Sequence, residues 1–125
     1  MIDHLSIGVR DVSRSRTFYD AALEALGYAR LSQDEASLGY GREQVQLCVN
    51  AAARPVEPDM ESGLHVCFAA PTRKSVDAFH RAALAYGGRD NGAPGLREDY
   101  GADYYAAFVV DPDGYRLEAY CSQPG

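Results

Sequence analysis

The chain repeats itself. His4 and His65, Phe18 and Phe79, Ala22 and Ala83, Leu23 and Leu84, and Gly27 and Gly88 are matched pairs, each 61 residues apart. No gap is needed from the first alternating segment to the end of the first helical one. A repeat of this kind means that each half is a supersecondary unit that buries its apolar face against a neighbour. In the first half, "DHLSIGV" puts Leu5, Ile7 and Val9 on one face and His4, Ser6 and Gly8 on the other, the pattern of a half-buried strand. Ser13 is the expected N-cap of a helix over about residues 14–26, with Phe18, Ala22, Ala25 and Leu26 on one stripe and Gly27 at its end. Three short strands follow, in "YARLSQ", near residues 36–40, and in "QVQLCVN".

Pro55 and Pro58 then break all periodicity, which reads as a linker. The pattern restarts with the strand "LHVCFAA", the N-cap Thr72, and a helix over about residues 73–86 that packs through Val76, Phe79, Ala83 and Tyr86. A Gly- and Asp-rich stretch leads to the strand "YYAAFVV". The turn "DPDG" connects that strand to "YRLEAYC", a hairpin by its Pro112 and Asp113-Gly114. The expectation is an α+β fold in one domain over residues 1–125. It has two βαβββ modules, one at about 1–52 and one at about 63–122, joined by a linker at 53–62.

Each module's helix covers the apolar side of its sheet. The opposite faces, carrying His4, Ser6 and Gly8 in one module and His65, Cys67 and Ala69 in the other, are small and polar and would line a cup when two modules pair. The last strand of each module adds a polar residue in the same sense, Gln46 in the first and Glu118 in the second.

With 12 basic and 18 acidic residues the formal net charge is -6, which argues against nucleic acid and against anionic membrane surfaces as partners. The longest apolar run, residues 104–110, is too short to span a bilayer. The three cysteines, Cys48, Cys67 and Cys121, form no C-x-x-C pair and suit a reducing cytoplasm better than a disulfide framework. The first residues lack the charged and apolar regions of a secretory signal. A soluble cytoplasmic protein is expected.

The opening "DHLSIGVRDVSRSRTFYDAALEALGY" and the closing "DPDGYRLEAY" resemble the vicinal oxygen chelate superfamily, which includes glyoxalases, bleomycin-resistance proteins and extradiol dioxygenases. The resemblance runs over essentially the whole chain, and within the superfamily it points to a small uncharacterised glyoxalase-like subgroup. It implies a metal-binding cup. The family's ligand positions fall on His4, His65 and Glu118, and a fourth, often Glu in glyoxalase I, falls on Gln46. Two imidazoles and a carboxylate suit Fe or Mn with positions left open for a bidentate oxygen substrate; with Gln46 bound, Zn or Ni fits as well. Glyoxalase I holds the glutathione carboxylate with an arginine four residues after its first ligand, and here that residue is Gly8. Asn50 does match a glutathione-contacting asparagine.

The resemblance thus implies a metal-dependent enzyme acting on a small substrate with vicinal oxygens, as lyase or isomerase, dioxygenase or thiol transferase, with Glu118 as ligand and base. The alternative is a non-catalytic protein of the bleomycin-resistance type that sequesters a small molecule. Arg97, Tyr100 and Tyr104, in or beside the Gly-rich loop, either close over the substrate or merely anchor that loop. Cys67 points into the cup or packs. His80 is expected on a solvated helix face. Small relatives commonly close the cup between chains, which implies a homodimer with His4 from one chain and His65 and Glu118 from the other.

Overall fold

The computed structural model describes residues 1–125. It contains β1 (Leu5–Val9), α1 (Val12–Glu24), β2 (Ala29–Gln33), β3 (Ser37–Gly41), β4 (Val45–Ala51), β5 (Val66–Ala69), α2 (Arg73–Ala85), β6 (Arg89–Leu96), β7 (Tyr105–Val110) and β8 (Arg116–Cys121). The βαβββ order therefore occurs twice. Each module forms its own four-stranded sheet, β1-β4-β3-β2 and β5-β8-β7-β6. In both, the first strand runs parallel to the last and the other pairs are antiparallel.

Helix α1 begins earlier than the sequence suggests. Its N-cap is Asp11, whose carboxylate accepts from the backbone N–H of Arg14, and not Ser13. Both residues suit a cap, and Asp11 wins because the chain leaves β1 only two residues before it. Thr72 caps α2 as expected, in a capping box with Ser75. The second departure is β6. Its sequence "RDNGAPGL" has poor strand propensity, yet it pairs with β7 through two register shifts, on the edge of the sheet where a proline is tolerated.

The modules share one core. Phe18, Tyr19, Ala22 and Leu23 of α1 and Val76, Phe79 and Ala83 of α2 join Val9, Leu47, Val49, Ala107, Val109, Leu117 and Ala119 of the two sheets. The two helices pack directly on each other. Gly88 permits this contact: a Cβ there would lie 2.7 Å from Phe18 and 2.8 Å from the Ala83 carbonyl. No strand of one sheet pairs with a strand of the other.

The hairpin turn between β7 and β8 locks the modules together. Asp111 is buried and accepts from the Tyr19 hydroxyl of α1 and from its own turn's N–H groups at Asp113 and Tyr115. Asp113 accepts from the Arg10 N–H and the Arg14 guanidinium beside the start of α1.

Candidate metal centre

Glu118 sits on β8, opposite Cys67 of β5 and Phe108 of β7, so these three side chains share the sheet face turned away from α2. A carboxylate in mid-sheet would normally be solvated. Here the residue is only 2% exposed. Two groups cover it: His65 Nε2 lies 2.8 Å from one carboxylate oxygen, and the Tyr104 hydroxyl donates to the other at 2.6 Å. His65 keeps about half of its side chain in solvent and contacts the edge of Phe108. Its position just before edge strand β5 brings the ring over the neighbouring β8.

The environment acts on the neighbours. Burial pushes the Cys67 thiol up to about 12, and the Glu118 carboxylate adds to this. Burial, then the hydrogen bond to Glu118, raises Tyr104 above the ordinary phenol value, so it stays a neutral donor. A protonated Cys67 is a poor nucleophile and a poor ligand.

His4 and Gln46 belong to the other module. His4 precedes β1, is half exposed, and hydrogen-bonds through Nδ1 to its neighbour Asp3, which leaves Nε2 without a partner in the chain. Gln46 lies at a bulge: Tyr40 pairs with Leu47 and Gly41 with Val45, so Gln46 drops out of the ladder with β3. Bulges re-aim side chains in this way. The ladders also revise the internal correspondence. Cys67 pairs with Glu118 as Ser6 pairs with Cys48, so the structural counterpart of Glu118 is Cys48 and Gln46 sits two residues away.

His4, Gln46, His65 and Cys67 all border one cleft of about 540 Å³ between the modules, together with Leu5, Leu47, Tyr28 and Leu64. Glu118 does not line it. No three His, Cys, Asp or Glu side chains of a single chain converge as a metal-holding set.

Tyr104 stacks on Tyr120 with ring centroids 4.0 Å apart, and the exposed Tyr100 meets Tyr104 edge-on. Arg97 lies over Phe108 and donates to the carbonyls of Ala93 and Gly95, so its charge is partly spent on its own strand. His80 differs from expectation: its side chain is largely covered and bonds to Asp90. The contact that the sequence did not suggest is that of Tyr104, whose hydroxyl donates to Glu118.

The donor set fits a divalent metal in part. An imidazole nitrogen and a shielded carboxylate converge within one chain, and a second imidazole and an amide stand across the cleft.

The family model of the Glyoxalase/Bleomycin resistance protein/Dioxygenase superfamily matches residues 1–119. In sequence, the chain is 28% identical over 120 residues to the uncharacterized protein YqjT of Bacillus subtilis (strain 168), covering 92% of this chain and 94% of that one. In structure it is similar to a glyoxalase/bleomycin resistance protein from Albidiferax ferrireducens T118, with a TM-score of 0.84, 30% identity, and coverage of 95% and 97% of the two chains. The genomically encoded fosfomycin resistance protein FosX of Listeria monocytogenes matches with a TM-score of 0.71 over 98% and 93% of the chains, but at 13% identity this is a likeness of fold alone.

Proposed function

The chain belongs to the glyoxalase/bleomycin resistance protein/dioxygenase superfamily, and from that premise we propose that it is a metal-dependent enzyme whose site forms between two copies. The observation that carries this reading is the buried Glu118 joined to His65 on an otherwise open sheet face. A carboxylate is not buried without return, and ligating a cation is the return that this donor pair suits.

His65 and Glu118 would hold the metal from one chain, and His4, with or without Gln46, from the other. The free edge strands β1 and β5 border the cleft, and the exposed apolar Ile2, Leu5 and Leu64 flank it. Unpaired edges beside apolar residues favour a second copy of the same chain as the occupant, in a two-fold arrangement. A bound Fe, Mn, Ni or Zn ion would supply Lewis-acid polarisation of two vicinal oxygens on a small substrate. As the family resemblance implies, Glu118 would act as base on detaching from the ion, with one oxygen freed from His65 or Tyr104. Lyase or isomerase, dioxygenase and thiol-transferase chemistry all fit these parts. Cys67 borders the substrate space as a neutral thiol.

No helix is long and apolar enough to cross a membrane, and the three free cysteines suit work in the cytoplasm. The apolar lining of the cleft favours a second reading, sequestration of a small molecule without chemistry.

Titration of metal-stripped protein with Mn, Fe, Ni, Co and Zn separates the two. The enzyme reading expects one ion per chain, lost in Glu118→Ala. A wild-type protein that binds none of these ions would leave only the sequestering role.

A further inference from the structure

We infer that the cleft between the modules takes a neutral, largely apolar small molecule with a single polar handle, and rejects anions. The inference goes beyond the metal-binding reading above and does not rest on it: it holds whether the bound molecule is turned over or only sequestered.

The cleft of about 540 Å³ has the size of an ordinary small-molecule site, roughly 300–1,000 Å³. Its floor comes from three elements: Leu23 of α1, Tyr40 of β3 and Leu47 of β4. These are 2%, 1% and 5% exposed, so the lining reaches down to the core. Val66 and Phe68 of β5 add apolar surface from the other module. Two tyrosines in the lining have no proton left for a ligand. The Tyr40 hydroxyl donates to Asp20 at 2.8 Å, and that of Tyr28 donates to the Ala69 carbonyl at 2.7 Å. A phenol has one proton to donate, so both rings offer mainly their apolar bodies. A second copy seated on the edge strands would cover the exposed Ile2 and Leu64 at the rim, above this floor.

Charge decides what else can enter. No lysine or arginine lines the cleft, and its one carboxylate is Asp3. Each lining imidazole already faces a carboxylate: His4 Nδ1 lies 2.7 Å from Asp3, and His65 Nε2 lies 2.8 Å from Glu118. Neither ring brings an unmatched positive charge. An anion entering the cleft would lose hydration with no cation to replace it, in a chain whose net charge is already -6. A neutral molecule meets no such penalty. The Gln46 amide, which stands out of the ladder with β3, and His4 Nε2 are the groups that can bond one polar atom on it.

The test uses a matched pair of fluorescent probes on metal-stripped protein. N-phenylnaphthylamine and anilinonaphthalene sulfonate share one ring system and differ by the sulfonate. The expected result is one neutral probe bound per chain, with the sulfonate weaker by about tenfold or more. Asp3→Lys, at an exposed position, should narrow that gap by strengthening the sulfonate alone. Val66→Trp, which fills the cleft, should lose the neutral probe while thermal unfolding shows the fold kept. Equal or tighter binding of the sulfonate by the wild type would overturn the inference. So would a gap unchanged in Asp3→Lys, a result that decides even if Val66→Trp does not fold. A folded Val66→Trp that binds the neutral probe as wild type does would place the probe elsewhere and overturn it too. Failure of the neutral probe to bind, or its release as sedimentation shows the chain dimerising, would give the cleft to the second copy instead. All of these measurements are made without metal, so none of their failures touches the metal titration above.

Discussion

The hydroxyl of Tyr115 donates to the carbonyl of Gly8 at 2.7 Å, across 107 residues of chain. Its counterpart is Tyr28, which donates to the carbonyl of Ala69. Gly8 and Ala69 are 61 residues apart and equivalent in the repeat. Each module thus clamps the other's first strand at the same carbonyl. With α1 and α2 packed together and the Asp111 turn docked on α1, the modules of one chain are fixed through their helix sides, and the polar sheet faces are left open.

That arrangement motivates the first prediction, on assembly. A mixed dimer of a His4→Ala chain and a Glu118→Ala chain, isolated with distinct tags, should recover about half of the wild-type metal binding. One interchain site would then hold both lesions and the other none. Zero recovery in a verified mixed dimer would mean that each site lies within one chain.

The second prediction concerns substrate. Position 8 has no room for the arginine that binds glutathione in glyoxalase I: a Cβ there would lie 2.7 Å from that of Ala52. Gln46 moreover brings no carboxylate. Activity on the glutathione hemithioacetal of methylglyoxal should fall well below the ordinary enzymatic kcat/KM of about 10⁴ M⁻¹s⁻¹. Steady-state assays with each metal decide this, and turnover at or above that level would contradict the argument from Gly8.

The third prediction concerns the module lock. Burial raises the Asp111 carboxyl above its ordinary 3.8, and the hydrogen bond from Tyr19 works against that rise. Across the window just above 3.8 the folded chain holds a proton that the unfolded chain has released, so this group's contribution to stability falls as pH rises through it. Tyr19 therefore matters most when Asp111 is ionised. Tyr19→Phe should cost on the order of 1–3 kcal/mol in urea unfolding at pH 7 and less near pH 4. A cost that is the same at both pH values would show that the hydroxyl does not act through the ionised carboxylate.

The sequence by itself determined the repeat, the βαβββ order, the helix faces through Phe18 and Phe79, and the "DPDG" hairpin. All of these follow from short-range periodicity and turn chemistry, which act along the chain. It also marked His65 and Glu118 as facing one way, because strand alternation fixes a side chain's face. Tertiary structure alone decided the rest. It made β6 a strand, because the β7 ladder outweighs the poor propensity of a glycine-rich segment. It gave the Tyr104 hydroxyl to Glu118, because that bond depends on how a loop folds back over β8. It placed Gln46 on a bulge and Cys48 opposite Ser6, because register is set by pairing between distant strands. It brought Tyr19 to Asp111, 92 residues away, because the way the two modules dock is written in no local pattern.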